Sequence, residues 1–93
     1  MKYFDWDKDK NEKLKAERGI CFEDIQIAIE EERILDEFEH PNKERYPNQR
    51  ILVVEIENYA YYVPYVEDEN RIFFKTIFPS RQATKKYLIK KEV

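Results

Sequence analysis

The spacing of apolar side chains changes abruptly from one segment of the chain to the next. Tyr3–Trp6 alternates aromatic and polar positions, which predicts a short strand. The following stretch, 8–17, is rich in charged helix formers and nearly free of apolar residues, so we expect a helix on the surface. Asp7 or Asp9 is placed to cap this helix, and Gly19 lies where it should end.

A second helix, amphipathic in character, is predicted from about Phe22. Its apolar stripe follows the period of an α-helix, with glutamates opposite, and consists of Phe22, Ile25, Ala28 and Ile29. The apolar positions within 34–38 predict a weaker strand. A polar loop with two prolines, 40–48, separates this half of the chain from the next.

The second half alternates apolar and polar residues with a period of two, which predicts consecutive strands. The predicted strands are 50–57, 60–66 and 71–78, joined by turns at Asn58-Tyr59 and 67–70. Pro64 cannot donate a backbone hydrogen bond, so it predicts an edge position or a bulge for the middle strand. Ser80 is placed to cap a last helix over 81–91. The inner stripe predicted for that helix is Ala83, Thr84, Tyr87 and Leu88.

Helices grouped before and after a set of closely joined strands indicate an α+β fold. We expect one domain, 1–93, with a small antiparallel sheet, two N-terminal helices and one C-terminal helix. Seven tyrosines and six phenylalanines among 42% hydrophobic residues are enough for a core. The longest aliphatic run, 51–54, is far shorter than a membrane span, and the acidic N-terminus does not resemble a signal peptide. A single cysteine, Cys21, excludes an internal disulfide, so we expect a cytoplasmic protein without membrane contact.

Charge is distributed unevenly along the chain. The formal net charge is −3, but residues 1–70 carry −9 and residues 71–93 carry +6. A basic C-terminal quarter on an acidic body predicts an anionic partner that contacts one surface, most often a nucleic acid. The alternative is a solvated terminal helix whose lysines complement acids elsewhere in the fold. The acidity of the whole chain argues against indiscriminate binding to nucleic acid.

Several kinds of site are excluded or disfavoured by the residues present. Asp5, Asp7 and Asp9 have the spacing of a calcium loop, but the glycine and the glutamate that such a loop requires are missing. One histidine and one cysteine make a zinc site unfavourable, and one glycine leaves no room for a phosphate-binding loop. His40, in a loop beside a proline, is a weak candidate for catalysis. We therefore expect neither a metal nor a cofactor.

Cations and an aromatic ring share one face of the last predicted strand. Alternation places Arg71, Phe73 and Lys75 on the same side, and Arg81 follows at the far end of that strand. Guanidinium groups bind phosphates through paired hydrogen bonds, and aromatic rings stack on unpaired bases. The candidate stacking residues on the neighbouring strand are Tyr61 and Tyr65. The same pattern also fits a second buried face, from which Lys75 extends to solvent.

Both ends of the chain resemble one known family. The start resembles that of the BrnT family of toxins from type II toxin–antitoxin systems, through Phe4-Asp5-Trp6-Asp7, Lys10-Asn11, Leu14-Lys15, Gly19-Ile20 and Phe22-Glu23-Asp24. The end resembles the closing motif of the same family, through Arg71-Ile72 followed by Ser80-Arg81-Gln82-Ala83-Thr84-Lys85-Lys86. The resemblance spans nearly the whole chain, with its parts in the family's order.

The resemblance implies a RelE-like fold and a small ribonuclease that blocks translation by cleaving RNA. Such cleavage is metal-independent: the 2′-hydroxyl of the substrate is the nucleophile, and fixed cations stabilise the charge that develops on phosphorus. By their positions in the motifs, Arg71 and Arg81 are the catalytic candidates, with Lys75 assisting, and we expect the three to converge at one end of the sheet on the scissile phosphate. Lys85 and Lys86, together with the two tyrosines, are the candidate RNA contacts.

The resemblance also implies partners. We expect RNA and a cognate antitoxin, a DNA-binding protein of the ribbon-helix-helix kind, with operator DNA contacted only through that antitoxin. An acidic antitoxin segment would compete with RNA for the cations, and Ile51 and Val53 would join that contact if no helix covers them. Two alternatives stay open. One is a non-catalytic family member that acts as a co-repressor or binds RNA or the ribosome, and the other is an unrelated α+β interaction domain.

Overall fold

The computed structural model describes residues 2–88. In chain order its elements are β1 (Tyr3–Trp6), α1 (Lys8–Arg18), α2 (Phe22–Glu30), β2 (Ile34–Glu39), β3 (Gln49–Ile56), β4 (Tyr59–Glu67), β5 (Arg71–Phe74), β6 (Phe78–Pro79) and α3 (Arg81–Tyr87). The weaker strand predicted within 34–38 is present as β2. The stretch 89–91 of the last predicted helix lies outside the described residues.

Short-range capping signals determine where the helices begin and end. Asp7 caps α1, because its carboxylate accepts hydrogen bonds from two backbone N–H groups of the first turn. Gly19 ends the same helix in the left-handed conformation, with a φ of 68°. The Ser80 hydroxyl caps α3 by accepting a hydrogen bond from the backbone N–H of Ala83 at 3.1 Å. The predictions for these positions are confirmed, with Asp7 rather than Asp9 as the cap.

The sheet is mixed, so the expectation of a purely antiparallel sheet is wrong. Its strand order is β1-β5-β4-β3-β2, with β6 paired to β4 beyond the end of β5. β1 runs parallel to β5, whereas the other pairs are antiparallel. No hairpin joins β1 to β5, so no turn imposes an antiparallel arrangement on them. In the parallel register the Phe4 ring stacks on Phe74, with centroids 5.4 Å apart.

The strand predicted at 71–78 is divided into β5 and β6. β5 ends at Phe74, and the backbone N–H of Lys75 donates to the carbonyl of Pro64 at 2.7 Å. Pro64 has no N–H to return, so the ladder along that side of β4 is interrupted where β5 leaves. Pro64 therefore lies in an interior strand, and the predicted edge position is wrong. The predicted alternative, a bulge, agrees with the register, because residues 75–77 lie opposite only residues 63–64.

Helices cover both faces of the sheet. On the first, which we call the α1/α2 face, Leu52 and Val54 pack with the two N-terminal helices in the larger core cluster. On the second, the α3 face, Val53 and Ala60 pack against Ala83. Both sides of β3 are consequently buried along 51–54. Ile51 and Val53 are not exposed, which removes them as a surface contact for an antitoxin.

The described residues thus form a small α+β fold with three helices and a mixed sheet. Among residues 2–88, no helix has the length and apolar content that crossing a bilayer requires. α3 covers only part of its face, since Arg71 and Phe73 on β5 remain half-exposed. Side chains on this side of the molecule are therefore accessible to a partner on the uncovered part of the sheet and on the outer side of α3.

Candidate nucleic-acid interface

The N-terminal part of α3 is fixed to one end of β4 by two hydrogen bonds, and a third closes the first turn of the helix. The Thr84 hydroxyl accepts from the backbone N–H of Ala60 at 2.9 Å and donates to the carbonyl of Ser80 at 2.8 Å. The N–H of Ser80 donates to the carbonyl of Ala60 at 3.0 Å. Ala83 is buried at this contact, where its small side chain allows the helix and the strand to approach closely. Part of the closing motif therefore positions α3.

Exposed cations follow on the other side of the same helix. Arg81, Lys85 and Lys86 are solvent-exposed, and Lys75 is exposed on the link between β5 and β6. The Lys75 ammonium lies 5.6 Å from the centroid of the Phe73 ring, so it belongs to the α3 face. We call these four residues the basic surface. Within residues 2–88, none of the four has a carboxylate oxygen within 4.0 Å.

Arg71, by contrast, is held by acidic side chains. Its Nη1 donates to Asp5 Oδ2 at 2.7 Å, and its Nε lies 3.6 Å from Asp68 Oδ2. The hydrogen bond with Asp5 raises the pKa of the Arg71 guanidinium. Its Cζ lies 4.9 Å from the centroid of the Phe73 ring, on which Lys75 also packs. The predicted shared face of these three residues is confirmed, but two carboxylates already engage Arg71.

Arg71 and Arg81 lie at opposite ends of β4. Arg71 precedes Ile72, which pairs with Glu67, whereas Arg81 follows Ser80, which is hydrogen-bonded to Ala60. The seven steps from Ala60 to Glu67 correspond to about 24 Å of extended strand. The expectation that Arg71, Lys75 and Arg81 converge at one end of the sheet is therefore wrong. Arg81 is grouped instead with the lysines of its own helix.

The two tyrosines selected as stacking residues lie on the opposite face of the sheet. Tyr65 pairs with Phe74 rather than Phe73, so it points to the α1/α2 face, where it is only 4% exposed. Its hydroxyl donates to Glu37. Tyr61 points to the same face and is half-buried, and this burial raises the pKa of its phenol. Neither ring shares a surface with Phe73. The expected exposure is wrong for Tyr65, and Tyr61 is exposed only in part and on the other face.

Another pair of aromatic side chains, not identified from the sequence, does lie on the α3 face. Phe38 of β2 and Tyr62 of β4 pack edge to face with ring centroids 5.8 Å apart. They border a cleft of about 480 Å³ between β2 and α3, whose polar lining residues are Asp36, Gln82, Lys86 and Tyr87. The Tyr87 hydroxyl donates to Asp36, which lowers the pKa of the carboxyl and raises that of the phenol. The strand alternation of β2 was the available signal, but it could not show that α3 packs beside it.

A wider depression surrounds Arg71, with a volume of about 770 Å³. Its charged lining residues are Lys2, Arg50, Arg71, Glu67, Asp68 and Glu69. The equal numbers of acidic and basic residues give this depression no net attraction for phosphate. The basic surface and the adjoining cleft are therefore the better candidates for contact with an anionic polymer.

The remaining chemistry-bearing residues are engaged locally. Burial raises the pKa of the Cys21 thiol, whose Sγ lies 3.4 Å from an Asp24 oxygen at the start of α2. His40 packs on Tyr46 with centroids 4.4 Å apart, and its Nδ1 accepts from the N–H of Asn42. Among residues 2–88, no three His, Cys, Asp or Glu side chains are grouped so as to hold a metal ion.

Comparison with known proteins adds no relative to this picture. No protein-family model, no curated protein and no solved structure matches the chain.

Proposed function

We propose that this chain is the toxin of a type II toxin–antitoxin system: a metal-independent endoribonuclease with a RelE-like fold that inhibits translation. The observation that carries the proposal is the basic surface, with four exposed cations that have no carboxylate within 4.0 Å among residues 2–88. The chain as a whole has a net charge of −3, so attraction for phosphate depends on these four residues and not on the overall charge. The resemblance of both chain ends to the BrnT family supports the same function.

In the proposed reaction the 2′-oxygen of one ribose attacks the adjacent phosphorus while the 5′-oxygen of the next nucleotide leaves. The products are a 2′,3′-cyclic phosphate and a 5′-hydroxyl. Arg81, in the first turn of α3, binds the non-bridging oxygens of the scissile phosphate, on which negative charge increases in the transition state. Lys75, Lys85 and Lys86 bind the neighbouring phosphates and align the strand.

Arg71 has a different role in this proposal. Its contacts with Asp5 and Asp68 join β1 and the turn before β5 to the sheet. We therefore expect Arg71→Ala to weaken the fold without removing a phosphate ligand. Arg71 and Arg81 provide a contrast between a structural arginine and a functional one.

The test is inducible expression of the chain without an antitoxin, followed by growth measurements and primer extension on cellular RNA. We expect the chain to arrest growth and to cleave RNA at discrete sites. Arg81→Ala should lower the rate of RNA cleavage on the order of a hundredfold and relieve the growth arrest. Arg18→Ala is the matched control, because Arg18 is an exposed arginine on α1, across the sheet. Full activity of Arg81→Ala would contradict the assignment of Arg81.

Purified protein tests the chemistry directly. Cleavage should continue in excess EDTA and should stop when the ribose at the cleavage site carries a 2′-deoxy substitution. A metal requirement, or cleavage of the 2′-deoxy substrate, would contradict the proposed mechanism.

A second candidate function is an RNA-binding or antitoxin-binding module without catalysis. The separation of Arg71 from Arg81 favours it, because a binding surface needs cations but no converging catalytic set. In both functions an acidic segment of a ribbon-helix-helix antitoxin would occupy the basic surface and exclude RNA, and operator DNA would be bound through that antitoxin. RNA binding without cleavage or growth arrest would select this second candidate.

A further inference from the structure

The cleft between β2 and α3 combines aromatic walls with fixed polar groups. Phe38 and Tyr62 form one wall, and Tyr62 is held in turn by an edge-to-face contact with Phe78 at 5.5 Å. Gln82 and Lys86 lie on the α3 side. The volume of about 480 Å³ is in the range of small-molecule binding sites. The cleft shares Lys86 with the basic surface, so a polymer bound there can place one unit inside it.

Asp36 is the oriented hydrogen-bond acceptor of this cleft. Its Oδ1 accepts from the backbone N–H of Glu37 at 2.7 Å, and its Oδ2 accepts from the Tyr87 hydroxyl. These two contacts hold the carboxylate in one orientation, and each oxygen keeps a further lone pair. An ionised carboxylate only accepts hydrogen bonds, so the cleft favours a group that presents two adjacent donors.

We propose that this cleft binds a single guanine base of the RNA, with the N1–H and the 2-amino group donating to Asp36. This inference rests on the proposed function and names the base that the same surface selects. The aromatic wall packs on the base, Gln82 donates from its side-chain amide to O6, and Lys86 binds an adjacent phosphate.

Guanine is selected because its edge matches the carboxylate. On guanine, the N1–H and the 2-amino group are neighbouring donors, which pair with the two oxygens of Asp36. Adenine and cytosine place a ring nitrogen acceptor beside their amino group, and uracil places a carbonyl on each side of its N–H. Those acceptors would face a carboxylate oxygen, so we expect other bases to bind more weakly on the order of tenfold.

Mononucleotide binding to the full chain tests the inference by calorimetry and by NMR shifts of β2 and α3 residues. GMP should bind most tightly of GMP, IMP, AMP, CMP and UMP. IMP, which lacks only the 2-amino group, should lose most of the advantage of GMP. Equal affinities for GMP and IMP, or for all five, would overturn the proposal.

A substitution of Asp36 tests whether this carboxylate is the source of the preference for GMP. Asp36→Asn removes the second acceptor and also one negative charge, so it should abolish the preference for GMP while RNA binding overall becomes slightly tighter. If Asp36 only stabilised the fold, its substitution would instead weaken both GMP binding and RNA binding. Glu39→Gln is the matched control, because Glu39 lies on the same strand but points to the other face, where it pairs with Lys43. A preference for GMP that survives in Asp36→Asn would overturn the assignment.

Gln82→Glu provides a test that does not depend on the stability of Asp36→Asn, since Gln82 is exposed on α3. A carboxylate there would face guanine O6 and should weaken GMP more than CMP. Selective GMP binding without RNA cleavage would support this inference and contradict the ribonuclease proposal. RNA cleavage with no preference for guanine would support the ribonuclease proposal and contradict the guanine site.

Discussion

Asn11 is a buried polar residue that joins the first two helices. It is 4% exposed; its Oδ1 accepts from the backbone N–H of Phe22 at 2.7 Å, and its Nδ2 donates to Glu23 at 2.8 Å. Asn11→Ala would leave the Phe22 N–H buried without a partner, so we expect unfolding free energy to fall by about 2 kcal/mol. Urea denaturation measures this change. Asn48→Ala, at an exposed asparagine, should change stability by less than about 0.5 kcal/mol.

The same contact makes stability depend on pH. The hydrogen bond from Asn11 lowers the pKa of Glu23 below its ordinary value of 4.5. The folded state therefore binds this proton less readily than the unfolded state, and the contact stabilises the fold above pH 4.5. That contribution is lost as pH falls through the lowered pKa. The difference in unfolding free energy between the natural chain and Asn11→Ala should therefore become smaller as the pH is lowered. Urea midpoints at successive pH values measure this difference. If it stays constant, Glu23 is not the source of the pH dependence.

The end of α2 is formed by a residue that is poorly suited to its conformation. Glu32 has a φ of 61°, and the N–H groups of Arg33 and Glu32 donate to the carbonyls of Ala28 and Ile29, in the pattern of a Schellman motif. Glycine adopts this left-handed conformation without steric cost. Glu32→Gly should therefore raise unfolding free energy by about 1 kcal/mol, seen as a higher melting temperature. Gln26→Gly, in the middle of the same helix, should lower it by a similar amount. A change of the same sign in both variants would contradict the steric explanation.

Elements whose ends carry their own signals could be predicted from the sequence. Asp7, Gly19 and Ser80 mark three helix ends through local chemistry, and all three are confirmed. α2 ends without a glycine, and nothing in its sequence indicated the left-handed Glu32. Strand alternation correctly placed Phe73 between Arg71 and Lys75, since a period of two is a local property.

The relations that decided the candidate site are long-range, and the sequence pattern does not contain them. Alternation tells which residues share a face but not which face of the neighbouring strand they meet, so Tyr65 was assigned to the wrong side. The pairing of Arg71 with Asp5 joins residues far apart in the chain, through a parallel strand that no turn signal predicts. The separation of Arg71 from Arg81 depends on the registers of β5 and β6 along β4, which a period of two does not specify.

The exposed cations of the basic surface predict how strongly RNA binding should depend on salt concentration. Each phosphate that a protein cation contacts on single-stranded RNA contributes about −0.7 to the slope of log affinity against log salt concentration. If three or four residues of the basic surface contact phosphates, the slope should be about −2 to −3. Lys85→Ala should make it shallower by about 0.7. Filter binding or fluorescence anisotropy with a non-cleavable 2′-deoxy oligonucleotide at several salt concentrations measures these slopes.

Two control variants, each of which also removes one positive charge, distinguish the effect of a local phosphate contact from the effect of the net charge. Lys13→Ala removes an exposed lysine from α1, and Arg71→Ala removes the arginine that is already paired with Asp5 and Asp68. Both change the net charge as much as Lys85→Ala does, but neither should alter the slope, because counterions are released only where a cation meets a phosphate. Equal changes for all three variants would mean that RNA responds to the overall charge of the molecule, and the basic surface would then lose its special role.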